Sequence, residues 1–249
     1  MHKKIIAQKK TPAQAVTAGL DGLRLGFPRI LAFDVDGTLV QHGRQGQGII
    51  PLLVKTLEYA HLINGRLVLV SGSSLEELRF CLLDEFMQAA SLSQAKPDDL
   101  FRHFEIYANG GTVKAFYNQV ALVNSGPKTL RLVCDEDFAQ QLPRSKNGFP
   151  GGKGAALSSV LKNTGTEASQ LIFFGDSLHP DGNDREVLEL GQGLTVINVG
   201  LPLSDAEKAG HAIINAGAAA SNGPDATAVV LKHILQRIND LIYGKGQAR

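Results

Sequence analysis

Short apolar runs alternate along this chain with segments whose apolar residues recur at helical spacing. The runs RILAF at 29–33, RLVLV at 66–70 and FEIYA at 104–108 predict buried strands, as do shorter runs further on, LIFF at 171–174, LTVINV at 194–199 and residues 212–214. Helical patterns lie between them, at 51–62, 75–87, 154–163 and from Gly223-Pro224-Asp225 to about 242. This alternation is typical of βαβ units and a parallel sheet. It predicts an α/β, doubly wound, mostly parallel Rossmann-like sheet.

A β-rich segment interrupts the alternation after the third strand. Residues 111–118 and 120–124 suggest a hairpin, residues 129–134 a further strand, and 143–152 a Pro/Gly-rich loop. We interpret this segment as a small β-rich insertion. The predicted division is an N-terminal tail at 1–28, a core domain formed by 29–111 and 151–249, and a small insertion at 112–150.

The composition narrows the class of protein. The chain is 43% hydrophobic and 20% charged, which are ordinary values for a globular protein. Its 25 Lys and Arg nearly balance its 24 Asp and Glu, so the charge favours no nucleic acid and no acidic membrane as partner. No apolar run approaches a transmembrane length, and the basic start MHKKIIAQKK lacks the apolar stretch of a signal peptide. We expect a cytoplasmic protein.

Acidic residues follow two of the predicted strands. Asp34 and Asp36 come directly after the first strand, and Asp176 and Asp184 follow the strand at 171–174. Ligands of open α/β sheets bind beyond the carboxyl ends of the strands, and Mg²⁺ prefers carboxylate oxygens. A solvated acidic turn remains the alternative for the first pair taken alone. The second cluster favours a Mg²⁺ site at this edge.

Hydroxyl groups and one lysine complete the polar set. Ser71-Gly72-Ser73-Ser74 follows the second strand, where backbone N–H groups at a helix start favour an anion, and Lys153 opens another helix. The sequence GFPGGKG around Lys153 is not a P-loop, because the glycine spacing is too short and Gly154 replaces the Ser or Thr. Glycine is also abundant, with 27 of 249 residues, and many lie in these strand-end loops.

These motifs together resemble those of the haloacid dehalogenase (HAD) superfamily of phosphohydrolases. FDVDGTLV at 33–40, the hydroxyl after the second strand, the lysine before a helix and GDSLHPDGND at 175–184 match its four motifs in order. The resemblance spans 29 to about 242. The long fourth motif, with VSGSSLEEL and the NGG at 109–111, is similar in spacing to eukaryotic-type phosphomannomutases and to the class II sugar phosphatases.

The resemblance implies a mechanism. Asp34 would be the nucleophile that forms an aspartyl-phosphate, and Asp36 would be the general acid and then the general base. Mg²⁺ would be held by the Asp34 carboxylate, the Asp36 carbonyl and Asp176.

The resemblance also implies the groups that would bind the phosphoryl group. These are Lys153 and the segment Ser71, Gly72 and Ser73. Ser71 and Ser73 are both candidates for the hydroxyl of the second motif. Asp184 would orient Lys153 or a metal-bound water, with Thr38 and Asn183 in supporting positions.

The function that follows is a Mg²⁺-dependent phosphomonoester phosphatase acting on a small phosphorylated metabolite such as a sugar phosphate. The alternative is a phosphomannomutase-like hexose-phosphate mutase, which needs a large Arg-rich closing cap, and a non-catalytic binding module is a third interpretation. The insertion is short and carries only two arginines up to Gly152, which favours the phosphatase.

The resemblance implies that the insertion is a cap, whose residues are expected to select the substrate. They include Lys114, Phe116, Tyr117, Lys128, Arg131, Arg144 and Lys146. The cations fit an anionic metabolite, and a solvated surface is the alternative explanation for them. A short cap covers little of the site, so it would admit large substrates, or a second copy of the chain would cover the site in a homo-oligomer.

Overall fold

One sheet of eight strands forms the centre of the molecule. The computed structural model describes residues 28–41, 48–121, 128–142, 151–217 and 223–244. The strands are β1 (Ile30–Phe33), β2 (Arg66–Val70), β3 (Phe104–Ala108), β4 (Val113–Ala121), β5 (Lys128–Asp135), β6 (Leu171–Gly175), β7 (Thr195–Asn198) and β8 (Ala212–Asn215). Their order is β5-β4-β3-β2-β1-β6-β7-β8. The six strands β3, β2, β1, β6, β7 and β8 are parallel to one another, and β4 and β5 form an antiparallel edge. The predicted α/β fold is confirmed.

Helices connect the strands. They are α1 (Ile50–Leu62), α2 (Leu75–Leu78), α3 (Asp84–Ser91), α4 (Pro97–Phe101), α5 (Phe138–Gln141), α6 (Lys153–Thr164), α7 (Asp205–Lys208) and α8 (Pro224–Tyr243). A π-helical segment, Arg79–Leu83, joins α2 to α3, and two 3₁₀ segments lie at Ala168–Gln170 and Arg185–Leu190. No helix within the described ranges is long and apolar enough to cross a membrane.

The sheet is covered on both faces. Ile30 and Ala32 of β1 belong to one core cluster, which includes α6. Leu31 and Phe33 belong to the other, which includes α1 and α8. Because successive strand residues point to opposite faces, an unbroken apolar run marks a strand buried on both sides, as the sequence predicted.

The antiparallel edge of the sheet corrects the predicted hairpin. The prediction of a turn between residues 118 and 120 is wrong, because β4 runs unbroken from Val113 to Ala121. It pairs with β5, and Lys114 lies opposite Asp135. Ala115 and Tyr117 are buried on one face of β4, and pairing with β5 continues to Ala121 opposite Lys128, so this pairing extends the strand past the expected turn. Gly126-Pro127, a stronger turn signal, lies between the two strands in the sequence.

Over its described part, the segment predicted as a cap extends the core sheet. β3 pairs with β4, and the rings of Tyr117 and Phe101 have centroids 4.8 Å apart. The ring of Phe138 in α5 packs on Tyr107 at 5.2 Å. Residues 143–150 and the tail at 1–27 lie outside the described residues, and the division into core and cap stays a prediction.

Candidate active site

The loops that carry the predicted motifs meet at one edge of the sheet. β1 lies between β2 and β6, and all three are parallel. Their carboxyl ends therefore lie side by side. Asp34 follows β1, Ser71 follows β2 and Asp176 follows β6.

The loop after β1 is a tight turn. The N–H of Gly37 donates to the carbonyl of Val40 at 2.8 Å, and the φ of Gly37 is 78°, in the left-handed region that favours glycine. A Cβ at Gly37 would lie 2.3 Å from Oδ2 of Asp176. The loop therefore lies directly against Asp176, and a side chain at Gly37 would fill the space beside that carboxylate.

Thr38 is a buried supporting residue of this turn. Its carbonyl accepts a hydrogen bond of 2.7 Å from Oγ1 of Thr227 in α8, and its own Oγ1 is buried with no hydrogen-bond partner among the described residues. The sequence did not indicate Thr227, because no local pattern connects residues so far apart. Thr227 ties the turn to α8.

Lys153, the first residue of α6, is buried between two carboxylates. Its Nζ donates to Oδ1 of Asp34 at 2.6 Å and to Oδ1 of Asp184 at 2.7 Å. Burial lowers the pKa of the ammonium, but the charges of Asp34 and Asp184 outweigh that effect and raise it above its ordinary value. Lys153 is therefore charged at neutral pH, and the geometry agrees with the predicted contact between Lys153 and Asp184.

Three carboxylates form a cluster that fits a divalent cation. Asp34, Asp176 and Asp184 each offer an oxygen within 4.8 Å of the others. Burial, and then the charge of Asp184, raises the pKa of Asp34 well above its ordinary value, and the same two causes raise the pKa of Asp176. Lys153 supplies one positive charge against three negative charges. A hard cation with oxygen ligands would relieve the remaining repulsion.

Both candidate hydroxyls of the loop after β2 contact Asp36. Oγ of Ser73 donates to Oδ2 of Asp36 at 2.6 Å, and Oγ of Ser71 donates to the same oxygen at 3.1 Å. Ser71 is buried and also accepts the N–H of Ser73 at 3.0 Å. Gly72 between them is exposed, and a Cβ there would meet nothing. Ser71 and Ser73 therefore both remain candidates for the hydroxyl of the second motif.

The loop after β6 holds Asp184 by its backbone. The N–H of Ser177 donates to Oδ2 of Asp184 at 3.0 Å, and the N–H of Asp184 donates to the carbonyl of Ser177 at 3.1 Å. A Cβ at Gly182 would lie 2.0 Å from that same carbonyl, so the loop closes tightly there. Asn183 is exposed, unlike the buried Asp184 beside it.

Several residues proposed to select the substrate are engaged elsewhere. Nζ of Lys114 lies 3.1 Å from Oε2 of Glu105 on β3, and Tyr117 is buried against the core. Arg131 is exposed on β5. The side chain of Lys128, and Arg144 and Lys146, lie outside the described residues. Lys114 and Tyr117 therefore contact the core sheet, and their part in selecting the substrate stays a prediction.

Glu186, which sequence reasoning missed, contacts the start of α6. A Cβ at Gly152 would lie 2.3 Å from Oε2 of Glu186, and the N–H groups of Gly154 and Lys153 offset part of the rise that burial causes in the pKa of Glu186. The sequence shows only a Glu two residues after Asp184, with no spacing that links it to residue 153.

Comparison with solved structures identifies the fold. The IMP-bound IMP-nucleotidase of Plasmodium falciparum superimposes with a TM-score of 0.58 and 14% identity, over 94% of this chain and 76% of that one. An N-terminally truncated form of that enzyme gives a TM-score of 0.56 and 13% identity, over 90% of this chain and 71% of that one. A haloacid dehalogenase-like hydrolase, yhjK of Bacillus subtilis, gives a TM-score of 0.48 and 15% identity, over 84% of this chain and 92% of that one.

No protein-family model and no curated protein matches the chain. At these identities the likeness concerns the fold alone. The superposition on the IMP-nucleotidase agrees with the sheet order described above. The four motifs lie at the carboxyl edge of that sheet. The chain therefore has the fold of that nucleotidase, an α/β fold with a mostly parallel sheet.

Proposed function

We propose that the chain is a Mg²⁺-dependent phosphomonoester phosphatase that acts through an aspartyl-phosphate. The observation that carries the proposal is the pair formed by Asp34 and Lys153, 2.6 Å apart and both buried. A carboxylate can serve as a covalent nucleophile, and an ammonium beside it would stabilise the charge on a transferring phosphoryl group, so this arrangement supports phosphoryl transfer.

Asp34 starts the reaction as nucleophile. One of its carboxylate oxygens attacks phosphorus, and the bond between phosphorus and the leaving oxygen breaks. Asp36, as a carboxylic acid, gives its proton to that oxygen, so the product alcohol leaves neutral. Ser71 and Ser73 both donate to Oδ2 of Asp36, which holds this carboxyl group in one orientation.

Asp36 then acts in the opposite direction. Its carboxylate takes a proton from water as the water oxygen attacks phosphorus, and the bond between phosphorus and Asp34 breaks. The two steps return both carboxyl groups to their starting states and release inorganic phosphate. Lys153 remains charged throughout and stabilises negative charge on the equatorial phosphoryl oxygens.

The carboxylate cluster is the proposed Mg²⁺ site. Asp34, Asp176 and the carbonyl of Asp36 would hold the ion. Asp184 lies beside these ligands and accepts a hydrogen bond from Lys153. When bound, Mg²⁺ would neutralise the cluster and the developing charge on the phosphoryl group.

The substrate is proposed as a small phosphorylated metabolite. The class II resemblance supports a sugar phosphate. The similarity of fold to an enzyme named for its action on IMP supports nucleoside monophosphates as a second group to be tested.

A phosphate-release screen tests the proposal. Sugar phosphates, nucleoside monophosphates including IMP, and p-nitrophenyl phosphate would be incubated with the protein, with and without Mg²⁺. We expect Mg²⁺-dependent release of phosphate that Asp34→Asn reduces by roughly 10³-fold or more. Asp137→Asn, which makes the same change at an exposed position, should leave the rate unchanged.

Two outcomes would point elsewhere. Absence of turnover by the wild-type protein across the whole panel would favour the binding module. Conversion of a hexose 1-phosphate to its 6-phosphate without release of phosphate would favour the mutase. Light scattering on the same samples would show whether a second copy of the chain is available to cover the site.

A further inference from the structure

The helix that carries Lys153 begins without a capping side chain of its own. The residue before it is Gly152, whose φ of 122° is one that side chains rarely adopt and which has no side chain to accept a hydrogen bond. The first N–H groups of an α-helix have no partner within the helix. At a buried helix start these groups need an acceptor from another part of the chain.

Glu186 is placed to supply that acceptor. Its carboxylate lies at the start of the helix, where the N–H groups of Gly154 and Lys153 offset part of the rise that burial causes in the pKa of Glu186. A Cβ at Gly152 would lie 2.3 Å from Oε2 of Glu186, and a Cβ at Gly154 would lie 2.9 Å from its carbonyl oxygen. Glu186 therefore lies directly against both glycines that flank Lys153. It can approach the helix start this closely because neither glycine has a side chain.

One short segment therefore holds both ends of Lys153. Asp184 accepts from its Nζ at 2.7 Å, and Glu186, two residues later, lies against the two glycines that flank its backbone. An ammonium at the end of four methylene groups is mobile unless its backbone is fixed. With both ends anchored to residues 184–186, Nζ is placed against Oδ1 of Asp34.

We propose that Glu186 is a positioning residue, which caps α6 and thereby sets the position of the Lys153 ammonium at the phosphoryl site. This inference rests on the proposed phosphatase function. Since a carboxylate already occupies the start of α6, the phosphoryl group does not bind to the N–H groups of that helix. The phosphoryl group depends on the Lys153 side chain alone at this position.

Two variants and a control test the role. Glu186→Ala removes the acceptor, Glu186→Gln keeps one acceptor oxygen, and Glu85→Gln makes the same change on the exposed surface of α3. We expect Glu186→Ala to lower kcat/KM by about tenfold, as for the loss of a charge-assisted hydrogen bond, and Glu186→Gln to recover most of that loss. Glu85→Gln should equal the wild-type protein.

The inhibition constant of inorganic phosphate separates positioning from simple loss of folded protein. A displaced ammonium weakens the binding of phosphate, so the inhibition constant should rise by about tenfold in Glu186→Ala. The Mg²⁺ concentration that gives half-maximal activity should stay within about twofold of the wild-type value. Partial unfolding would reduce kcat and leave the phosphate constant unchanged. That second pattern would overturn the positioning role.

Amide hydrogen exchange keeps this test independent of the proposed function. In Glu186→Ala the N–H groups of Lys153 and Gly154 should exchange about fivefold faster than in the wild-type protein, the factor for a lost helix cap. The measurement needs no substrate, so it holds even if the protein hydrolyses no phosphoester. Unchanged exchange at both positions would refute the cap itself.

Discussion

Nζ of Lys153 donates a hydrogen bond of 2.6 Å to Oδ1 of Asp34, across 119 positions of the sequence. Both side chains are withdrawn from solvent, and a second carboxylate, Asp184, shares the same ammonium. A buried charge is tolerated only when it is paired, so these three side chains depend on one another.

The first prediction concerns the removal of that ammonium. Lys153→Met leaves two buried carboxylates without their partner, and we expect the free energy of unfolding without divalent cation to fall by about 3 kcal/mol. Phosphatase activity should be lost. Lys162→Met, at an exposed position of the same helix, serves as the control in urea unfolding and should change stability little. Equal stability of both variants would contradict the pairing.

The second prediction separates the two serines that contact Asp36. Ser73 makes the shorter hydrogen bond to the proposed general acid, so Ser73→Ala should lower kcat by about tenfold. Ser71 is buried at the proposed phosphate position, so Ser71→Ala should mainly raise KM. Steady-state kinetics of both variants at saturating Mg²⁺ provide the measurement.

Ser74 provides the matched control for this pair. Its hydroxyl accepts the N–H of Glu77 and caps α2, with no contact to Asp36. Ser74→Ala should therefore lower the unfolding free energy by about 1 kcal/mol and leave both kinetic constants unchanged. The assignment fails if Ser71→Ala and Ser73→Ala change the same constant to the same extent.

The third prediction concerns stability against pH without metal. Burial and the charge of Asp184 raise the pKa of Asp176 above its ordinary value of 3.8, so the folded protein binds this proton more tightly than the unfolded chain. The free energy of unfolding should therefore fall as the pH rises from about 4 through the raised pKa.

Asp176→Asn removes this titrating group. The variant should be more stable than the wild-type protein at pH 7 without divalent cation and should flatten the decline with pH. Mg²⁺ at 100 times its Kd should stabilise the wild-type protein by about 2.7 kcal/mol and the variant by less. Thermal unfolding with EDTA and with Mg²⁺ across this pH range is the measurement, and a variant less stable than wild type in EDTA would refute the argument.

The fourth prediction uses a pair of glycines. Gly37 and Gly110 both have positive φ, 78° and 65°, but a Cβ at Gly37 would lie 2.3 Å from Asp176 whereas one at Gly110 would meet nothing. Gly110→Ala should cost about 1 kcal/mol of stability from backbone strain alone. Gly37→Ala should cost more, and it should also weaken activation by Mg²⁺. Equal effects of the two substitutions on Mg²⁺ activation would show that Gly37 does not shape the metal site.

Most of the parallel sheet was predictable from the sequence. β2 and β3 coincide with the predicted runs, and α8 begins at Pro224, as Pro at the first helical position indicated. Local signals suffice there, because a strand buried on both faces is an unbroken apolar run. They failed at β4, where pairing with β5 decided that the strand continues to Ala121.

The sequence by itself determined which residues stand at the strand ends, and hence the set of carboxylates, serines and one lysine. Only the tertiary structure decided that Lys153 lies between Asp34 and Asp184, that both Ser71 and Ser73 reach Asp36, and that Glu186 lies against the start of α6. The physical reason is range. Periodicity and turn chemistry act over a few residues, whereas these contacts join segments brought together only when the parallel strands align their carboxyl ends.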